Sequence, residues 1–357
     1  MTLAEVLRRE IANHGPMRFR DFMARALYDP QHGYYASGRA RIGRKGDYFT
    51  SVSVGPLFGA LLARQFADVW EKLGQPADFT LVEQGAHDGT LAADVLAALA
   101  PHIPARLVIV EPSPLWRAAQ AAKLSGRNVR WVDDLEALEP FTGIHYSNEL
   151  LDAFPVHLVR RSADGWRERA VHVESDRFVF TDTPLSDQRL IGHLPDAAAG
   201  YTTEVNLAAL DWAATLASRI TRGLALVIDY GFSHADYYSP HRVEGTLDAV
   251  ASHRRVDPLA TPGEADLTAH VDFTALAAAS GLEVLGFTDQ HHFLTALARL
   301  HFAEGVHPEP REARAFQTLA HPTMLGRAFK VLALGRGLAG QLAGFAFARE
   351  PRQALGL

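Results

Sequence analysis

The chain has 357 residues, of which 48% are hydrophobic and 21% charged, with a formal net charge of −6 and no cysteine. That composition belongs to a globular protein long enough for a large core and for two compact units. It excludes disulfides, thiolate metal sites and a cysteine nucleophile, and it supplies neither the basic field that draws in nucleic acid nor a polybasic run for anionic lipid.

From the start, Leu3–Asn13 and Arg20–Leu27 place apolar residues at helical spacing, and a turn-rich segment, Tyr28–Asp47, follows them. The start lacks the continuous apolar core of a signal peptide, and a mitochondrial presequence is normally poor in acids, whereas Glu5 and Glu10 sit here. Near the end, Val331–Ala348 carries Arg336 and four glycines and so does not read as a membrane span. The expectation is a cytoplasmic protein with no membrane partner and no nucleic-acid partner. The histidines are scattered, and the adjacent His291 and His292 project in different directions, so no metal site is expected.

Leu57–Leu73 reads as a long amphipathic helix. Beyond it the pattern becomes short apolar runs alternating with helices. Strands are expected at Phe79–Val82, Arg106–Val110, Asn128–Val132, Ile144–Ser147, Leu224–Ile228, Leu282–Thr288 and Ala328–Leu334. Helices are expected at Thr90–Ala100, Pro114–Leu124, Leu207–Ile220 and Phe273–Ser280. Buried parallel strands with helical crossovers give this rhythm. The fold expected is α/β: a Rossmann-like seven-stranded sheet, its last pair an antiparallel edge, with an N-terminal helical segment and inserted substrate or lid regions. The division expected is a helical and turn-rich cap (1–56), a nucleoside-binding half (57–155), an inserted β-meander (156–206) and a continuation of the core (207–231). A lid or substrate insertion (232–272), the last part of the core (273–340) and a tail (341–357) complete it.

Four segments are candidates to carry chemistry. In Phe79–Leu91 an apolar strand runs through Gly85 and Gly89 directly into a helix, a turn that lets backbone approach a ligand. Glu111 ends the second strand, where a carboxylate can accept from both hydroxyls of a ribose, and Asp133 or Asp134 after the third strand can meet an adenine amino group. A plain strand–turn–helix is the bland alternative. A dinucleotide is the rival ligand, but Asp88 at the helix start would repel a pyrophosphate, whereas a sulfonium donor carries no phosphate. Next, Ser147–Pro155 sets Asn148, Glu149 and Asp152 at the carboxyl end of the fourth strand, where open α/β sheets bind ligands. Carboxylates there can orient a nitrogen nucleophile or hold a guanidinium. The alternative is a helix start, with Asn148 as the N-cap. Asp229–Gly231 ends the fifth strand and is either a closing turn or substrate-facing. In the long segment Gly245–Phe273, Asp266 or Thr268 can simply cap the helix that follows.

These stretches match a known family across nearly the whole chain. Phe22 and Met23, Leu27–Pro30, Gly33–Tyr35, Gly46–Ser51, Phe58 and Gly59, and Glu83–Leu91 belong to the match. So do Val110–Ser113, Ser147–Glu149 with Asp152 and Pro155, Asp229–Gly231, Gly245–Leu247, His253 and Asp266–Phe273. The sequence resembles the MidA-type methyltransferases, which include the mitochondrial complex I assembly arginine methyltransferase. Two stretches depart from the family pattern: Ala86, His87 and Asp88 replace Pro, Gly and Arg, and Val52–Val54 lacks a carboxylate.

The resemblance implies S-adenosyl-L-methionine as methyl donor and a protein side chain, an arginine nitrogen, as acceptor. A small-molecule N- or O-methyltransferase and a scaffold with weakened donor binding are the rivals. The donor set expected is Glu83, Gly85, Ala86, His87, Gly89, Glu111, Asp133, Asp134 and Asn148. The catalytic set expected is Glu149, Asp152, Tyr230 and His270. A protein partner and an oligomer are compatible with this reading.

Overall fold

Seven strands form the main path of the central sheet; those at its centre are mostly apolar runs, because a strand covered on both faces has no polar side to alternate with. We number them β1 (Thr80–Gln84), β2 (Arg106–Val110), β3 (Val129–Val132), β4 (Phe141–Asn148), β5 (Ile220–Phe232), β6 (Glu283–Asp289) and β7 (Phe329–Arg336). The computed structural model describes residues 1–38, 50–251, 253–302 and 308–357. The turn-rich segment expected at Tyr28–Asp47 and the matched block Gly46–Ser51 therefore lie partly outside the described residues.

The chain forms two compact units, one of Met1–Phe49, Leu151–Asp211 and Ala235–Val271, the other of Thr50–Leu150, Trp212–His234 and Asp272–Leu357. The second unit holds the sheet, in the order β3-β2-β1-β4-β5-β7-β6. Strands β1 to β5 are mutually parallel, with Gln84 opposite both Val110 and Ser147 and Ile228 opposite Asn148. The expected antiparallel edge pair is present, as β7 and β6. Strand β7 lies inside the sheet, antiparallel to β5 on one side and to β6 on the other, and β6 forms the edge. Its run Val331, Leu332, Ala333 is 0% exposed.

Three helices of this unit matter for the site: α1 (Leu57–Lys72), α2 (Thr90–Ala98) and α3 (Pro114–Lys123). Helix α1 buries one face through Leu61, Leu62, Phe66 and Val69, each fully removed from solvent; burial of that size stabilises by about 1.5–3 kcal/mol per side chain. The strand order reverses between β1 and β4, the place where open α/β sheets leave a crevice at their carboxyl ends.

The first unit begins with the helices Leu3–His14 and Phe19–Tyr28. Thr2 and Glu5 form a reciprocal capping box at the start of the first helix, and Glu10 pairs with Arg25 at 2.8 Å. Their packing partners include Leu158 and Val171, from the meander His157–Ser162, Gly165–Glu174 and Arg177–Thr183. Ser175 and Asp176, both with positive φ, make the tight turn that matches strand twist. The long segment 232–272 is not periodic because it splits into a four-residue helix, His234–Tyr237, and a small sheet of Asp248–Ala251, Arg254–Arg255 and Asp266–Thr268.

Candidate active site

The turn after β1 is built by glycines. Gly85 has φ +79 and Gly89 φ +82; a Cβ on Gly85 would stand 3.3 Å from the Leu150 side chain, so the turn after β1 and the segment after β4 meet here. Ala86 is buried, and its carbonyl accepts from the Gly89 N–H at 2.7 Å. His87 adopts φ +46, a left-handed conformation that costs a non-glycine residue about 1 kcal/mol or more. Its ring lies 4.2 Å from that of Trp116, and its Nε2 is buried without a protein partner.

The Asp88 charge is met by protein groups. Its carboxylate accepts from the Thr90 N–H at 3.0 Å, at the start of α2, and pairs with Lys123 at 2.6 Å. Burial raises its pKa, but the hydrogen bonds from His87, Lys123 and Thr90 outweigh that and hold the carboxyl well below the ordinary range. The repulsion expected at this helix start is thus cancelled locally by Lys123. Glu83 is 2% exposed and accepts from the Tyr146 hydroxyl at 3.0 Å. Burial pushes its pKa up to about 8, opposed by that bond and reinforced by Asp88 and Asp94. It is mostly protonated at neutral pH.

At the end of β2, Glu111 is 8% exposed. One oxygen accepts from the Ser113 N–H at 2.9 Å and the other from Gln120 Nε2 at 3.2 Å. Burial raises its pKa, and the Ser113 and Gln120 bonds with the Arg117 and His87 charges offset part of the rise. Asp133 and Asp134 after β3 are both exposed. Asp133 pairs with Arg117, and Asp134 accepts from the Ala137 N–H at 2.7 Å.

No helix follows β4, which corrects the reading of Asn148 as an N-cap. Residues 149–154 form turns and bends. Glu149 takes φ +55 and donates its N–H to the Ile228 carbonyl at 2.9 Å, while its Oε1 accepts from Asn148 Nδ2 at 2.8 Å. Asn148 Oδ1 and Ser147 Oγ are buried without protein partners. Asp229, fully buried, accepts from the Leu150 N–H at 3.1 Å and from the Tyr230 N–H at 2.8 Å. Its carboxylate therefore fixes both neighbouring strand ends, a role that a turn motif read alone does not reveal. The Tyr230 ring rests 4.1 Å from that of Phe329.

In the first unit, Asp152 is 7% exposed, and its carbonyl accepts from the Ala269 N–H at 2.8 Å. That bond brings Asp152 beside the segment carrying His270. The His270 N–H donates to Thr246 Oγ1 at 3.0 Å, and Thr246 is held by Glu204, 0% exposed, through its own N–H at 2.9 Å. The Tyr35 hydroxyl donates to Asp266 at 2.8 Å. The suggested cap by Asp266 or Thr268 is also corrected: both lie in a strand, and Asp272 caps Phe273–Ser280 by accepting from the Ala275 N–H at 3.1 Å. Gln120 and Glu204 are not among the residues the sequence singles out, and Asp229 is singled out there only as a closing turn or a substrate-facing residue. Only Asp229 carries a sequence signal, its place at a strand end.

Known proteins place this architecture. Residues 61–288 match the model of a family described as "Putative S-adenosyl-L-methionine-dependent methyltransferase". The chain is 31% identical, over 94% of its length and 85% of the relative's, to a Drosophila melanogaster protein named Protein arginine methyltransferase NDUFAF7 homolog, mitochondrial. It is 29% identical to the Homo sapiens Protein arginine methyltransferase NDUFAF7, mitochondrial, over 91% of this chain and 81% of the other. A solved Burkholderia thailandensis structure bound to S-adenosyl-homocysteine superposes with a TM-score of 0.87 at 36% identity, covering 98% of this chain and 96% of that one. The chain belongs to this family of S-adenosyl-L-methionine-dependent methyltransferases. It is an enzyme, and S-adenosyl-L-methionine is its cosubstrate.

The residues present suit such a donor. Ser147 Oγ, Asn148 Oδ1 and His87 Nε2 are buried without protein partners, which leaves polar groups open to a polar ligand. The expectation of a cytoplasmic location is overturned by these relatives, since those from Drosophila melanogaster, Homo sapiens and Bos taurus are all named mitochondrial. The acids on which it rested are structural. Glu5 completes a helix cap and Glu10 an ion pair, so they report on a folded helix and not on targeting.

Proposed function

We propose that this enzyme methylates a guanidinium nitrogen of an arginine side chain in a protein. The observation that carries the proposal is Glu149, held left-handed at the carboxyl end of β4 with its carboxylate steadied by Asn148. The names of the relatives, protein arginine methyltransferases, support the choice of acceptor. A carboxylate on a rigid strand end binds a guanidinium through two parallel hydrogen bonds and so fixes which nitrogen faces the methyl group.

Glu111 takes the ribose hydroxyls in this reading, and Asn148 and the turn Gly85, Ala86, His87 and Gly89 line the donor. Glu83, at the end of β1 and bonded by the Tyr146 hydroxyl, is assigned to the donor side as well. Asp133 or Asp134 meets the adenine amino group. When bound, the donor supplies an electrophilic methyl on a sulfonium, whose sulfur keeps the bonding pair as the methyl leaves. Glu149 orients the nitrogen for in-line attack and accepts the proton that the methylated nitrogen releases. Tyr230, braced on Phe329, walls the nitrogen from water. We also propose that Asp152 and His270 take part in acceptor recognition, each testable on its own.

Donor carrying a radiolabelled methyl group, incubated with enzyme and a protein extract, should leave label in protein that hydrolyses to methylarginine. Glu149→Gln should lower that incorporation by about 100-fold or more while S-adenosyl-homocysteine binds as before. Label confined to low-mass product would overturn the protein acceptor, and undiminished activity in both Glu149→Gln and Asp152→Ala would overturn the assigned roles.

A further inference from the structure

Gln120 sits in α3 between two pairs of alanines and is completely buried. A primary amide brings one acceptor oxygen and two N–H donors, and leaving either end unmet in the interior costs about 1–3 kcal/mol. Here every end is met, and by three different elements. Its Oε1 accepts from the indole Nε1 of Trp131 on β3 at 2.9 Å. Its Nε2 donates to the His87 carbonyl at 2.9 Å and to Glu111 Oε2 at 3.2 Å. The orientation of the amide is not arbitrary. An indole N–H can only donate, so the oxygen must face Trp131 and the NH₂ must face His87 and Glu111.

The consequence lies in what the two acceptors have in common. His87 is the left-handed residue of the turn after β1, and Glu111 is the carboxylate at the end of β2. The same helix packs against that turn directly, since a Cβ on Gly89 would lie 3.4 Å from Gln120 Cα. With Ser113 and Gln120 each holding one oxygen, the Glu111 carboxylate is fixed in a single orientation, and its remaining lone pairs are available to a diol.

We infer that Gln120 is a positioning residue for the methyl donor, locking the Gly85–Gly89 turn and the Glu111 carboxylate into one preorganised unit. The inference rests on the reading of Glu111 as the ribose-binding group. A leucine would fill the same space, so Gln120 is set apart from ordinary core packing by what it does to donor affinity.

The test is calorimetric titration of the full chain with S-adenosyl-homocysteine, alongside steady-state rates and thermal unfolding. Gln120→Leu should weaken binding about tenfold or more, with the loss falling on the donor KM and kcat at saturating donor changing by no more than about twofold. Gln120→Glu keeps an acceptor for Trp131 but sets a carboxyl against Glu111, and it should bind more weakly still. The double variant Glu111→Ala with Gln120→Leu should lose little beyond Glu111→Ala alone, because the two act as a unit. A folded Gln120→Leu protein that binds within about twofold of wild type, or fully additive losses, would overturn the inference. If Gln120→Leu does not fold, Trp131→Phe decides, since it removes the bond that orients the amide while keeping an aromatic ring in place; unchanged affinity there also overturns it. Unchanged binding by Glu111→Ala would instead bring down the ribose reading itself.

Discussion

Two turns at the ends of neighbouring strands each force a residue other than glycine into the left-handed region: His87 after β1, with φ +46, and Glu149 after β4, with φ +55. They are stabilised in different ways. The His87 turn is flanked by Gly85 and Gly89 and held from a helix, through Gln120 to the His87 carbonyl. The Glu149 turn has no glycine and is held from the adjacent strand, by the Ile228 carbonyl and the Asp229 carboxylate. Strain shared among glycines gives a surface that backbone can shape around a ligand. Strain clamped by a strand gives one side chain in one place, and left-handed residues held in this way tend to mark function.

The contrast fails first if Asp229 is not the clamp. Asp229→Ala strands the N–H groups of Leu150 and Tyr230 and should lower the unfolding free energy by about 2–4 kcal/mol, read by urea titration, and should abolish methyl transfer. A loss below about 0.5 kcal/mol would show that Glu149 needs no such support.

Glu83, in the strand that leads into the other turn, gives a pH signature. Its folded pKa of about 8 lies above the ordinary 4.5, so folding favours its protonated form. That contribution is complete below about pH 4.5 and is lost as pH rises through about 8. Glu83→Gln should flatten the decline in stability across that window, checked by urea midpoints at about pH 5 and about pH 9. An unchanged slope would mean that Glu83 is ionised in the folded protein.

Glu149→Gly should relieve the left-handed strain and raise stability by about 1 kcal/mol while removing activity. Destabilisation instead would make the Asn148–Glu149 contact worth more than the strain. The smallest effect belongs to His87→Gly, where relief of about 1 kcal/mol is offset by the lost contact with Trp116, worth about 0.5–1.5 kcal/mol. The thermal midpoint should therefore barely move.

The strands were legible because buried parallel strands are continuous apolar runs; Arg106–Val110 was read to the residue. The start of β4 was not, since Thr142, Gly143 and His145 break the run and only pairing with Thr80 and Val82 makes it a strand. The inner place of β7 was also hidden, because an apolar run carries no information on which neighbours it takes. Among site residues, the glycine turn, Glu111 and the Asn148–Glu149 pair were visible as polar residues at strand ends. Gln120 was not. Within Ala118–Ala122 it looks like any helical position, and its importance comes from Trp131, His87 and Glu111 meeting it in space.

The inner position of β7 has a consequence for how the chain is made. Strand β5 pairs Gly223 with Arg336 and Tyr230 with Phe329, partners about a hundred residues apart. During synthesis β5 must wait with one edge uncovered until nearly the whole chain has emerged, and pairings of such long range close slowly. Its exposed stretch, Leu224–Ile228, is wholly apolar and unprotected during that interval. Truncation before residue 329 should therefore yield aggregates and not a smaller soluble enzyme, and chaperone demand should be set by this one late strand.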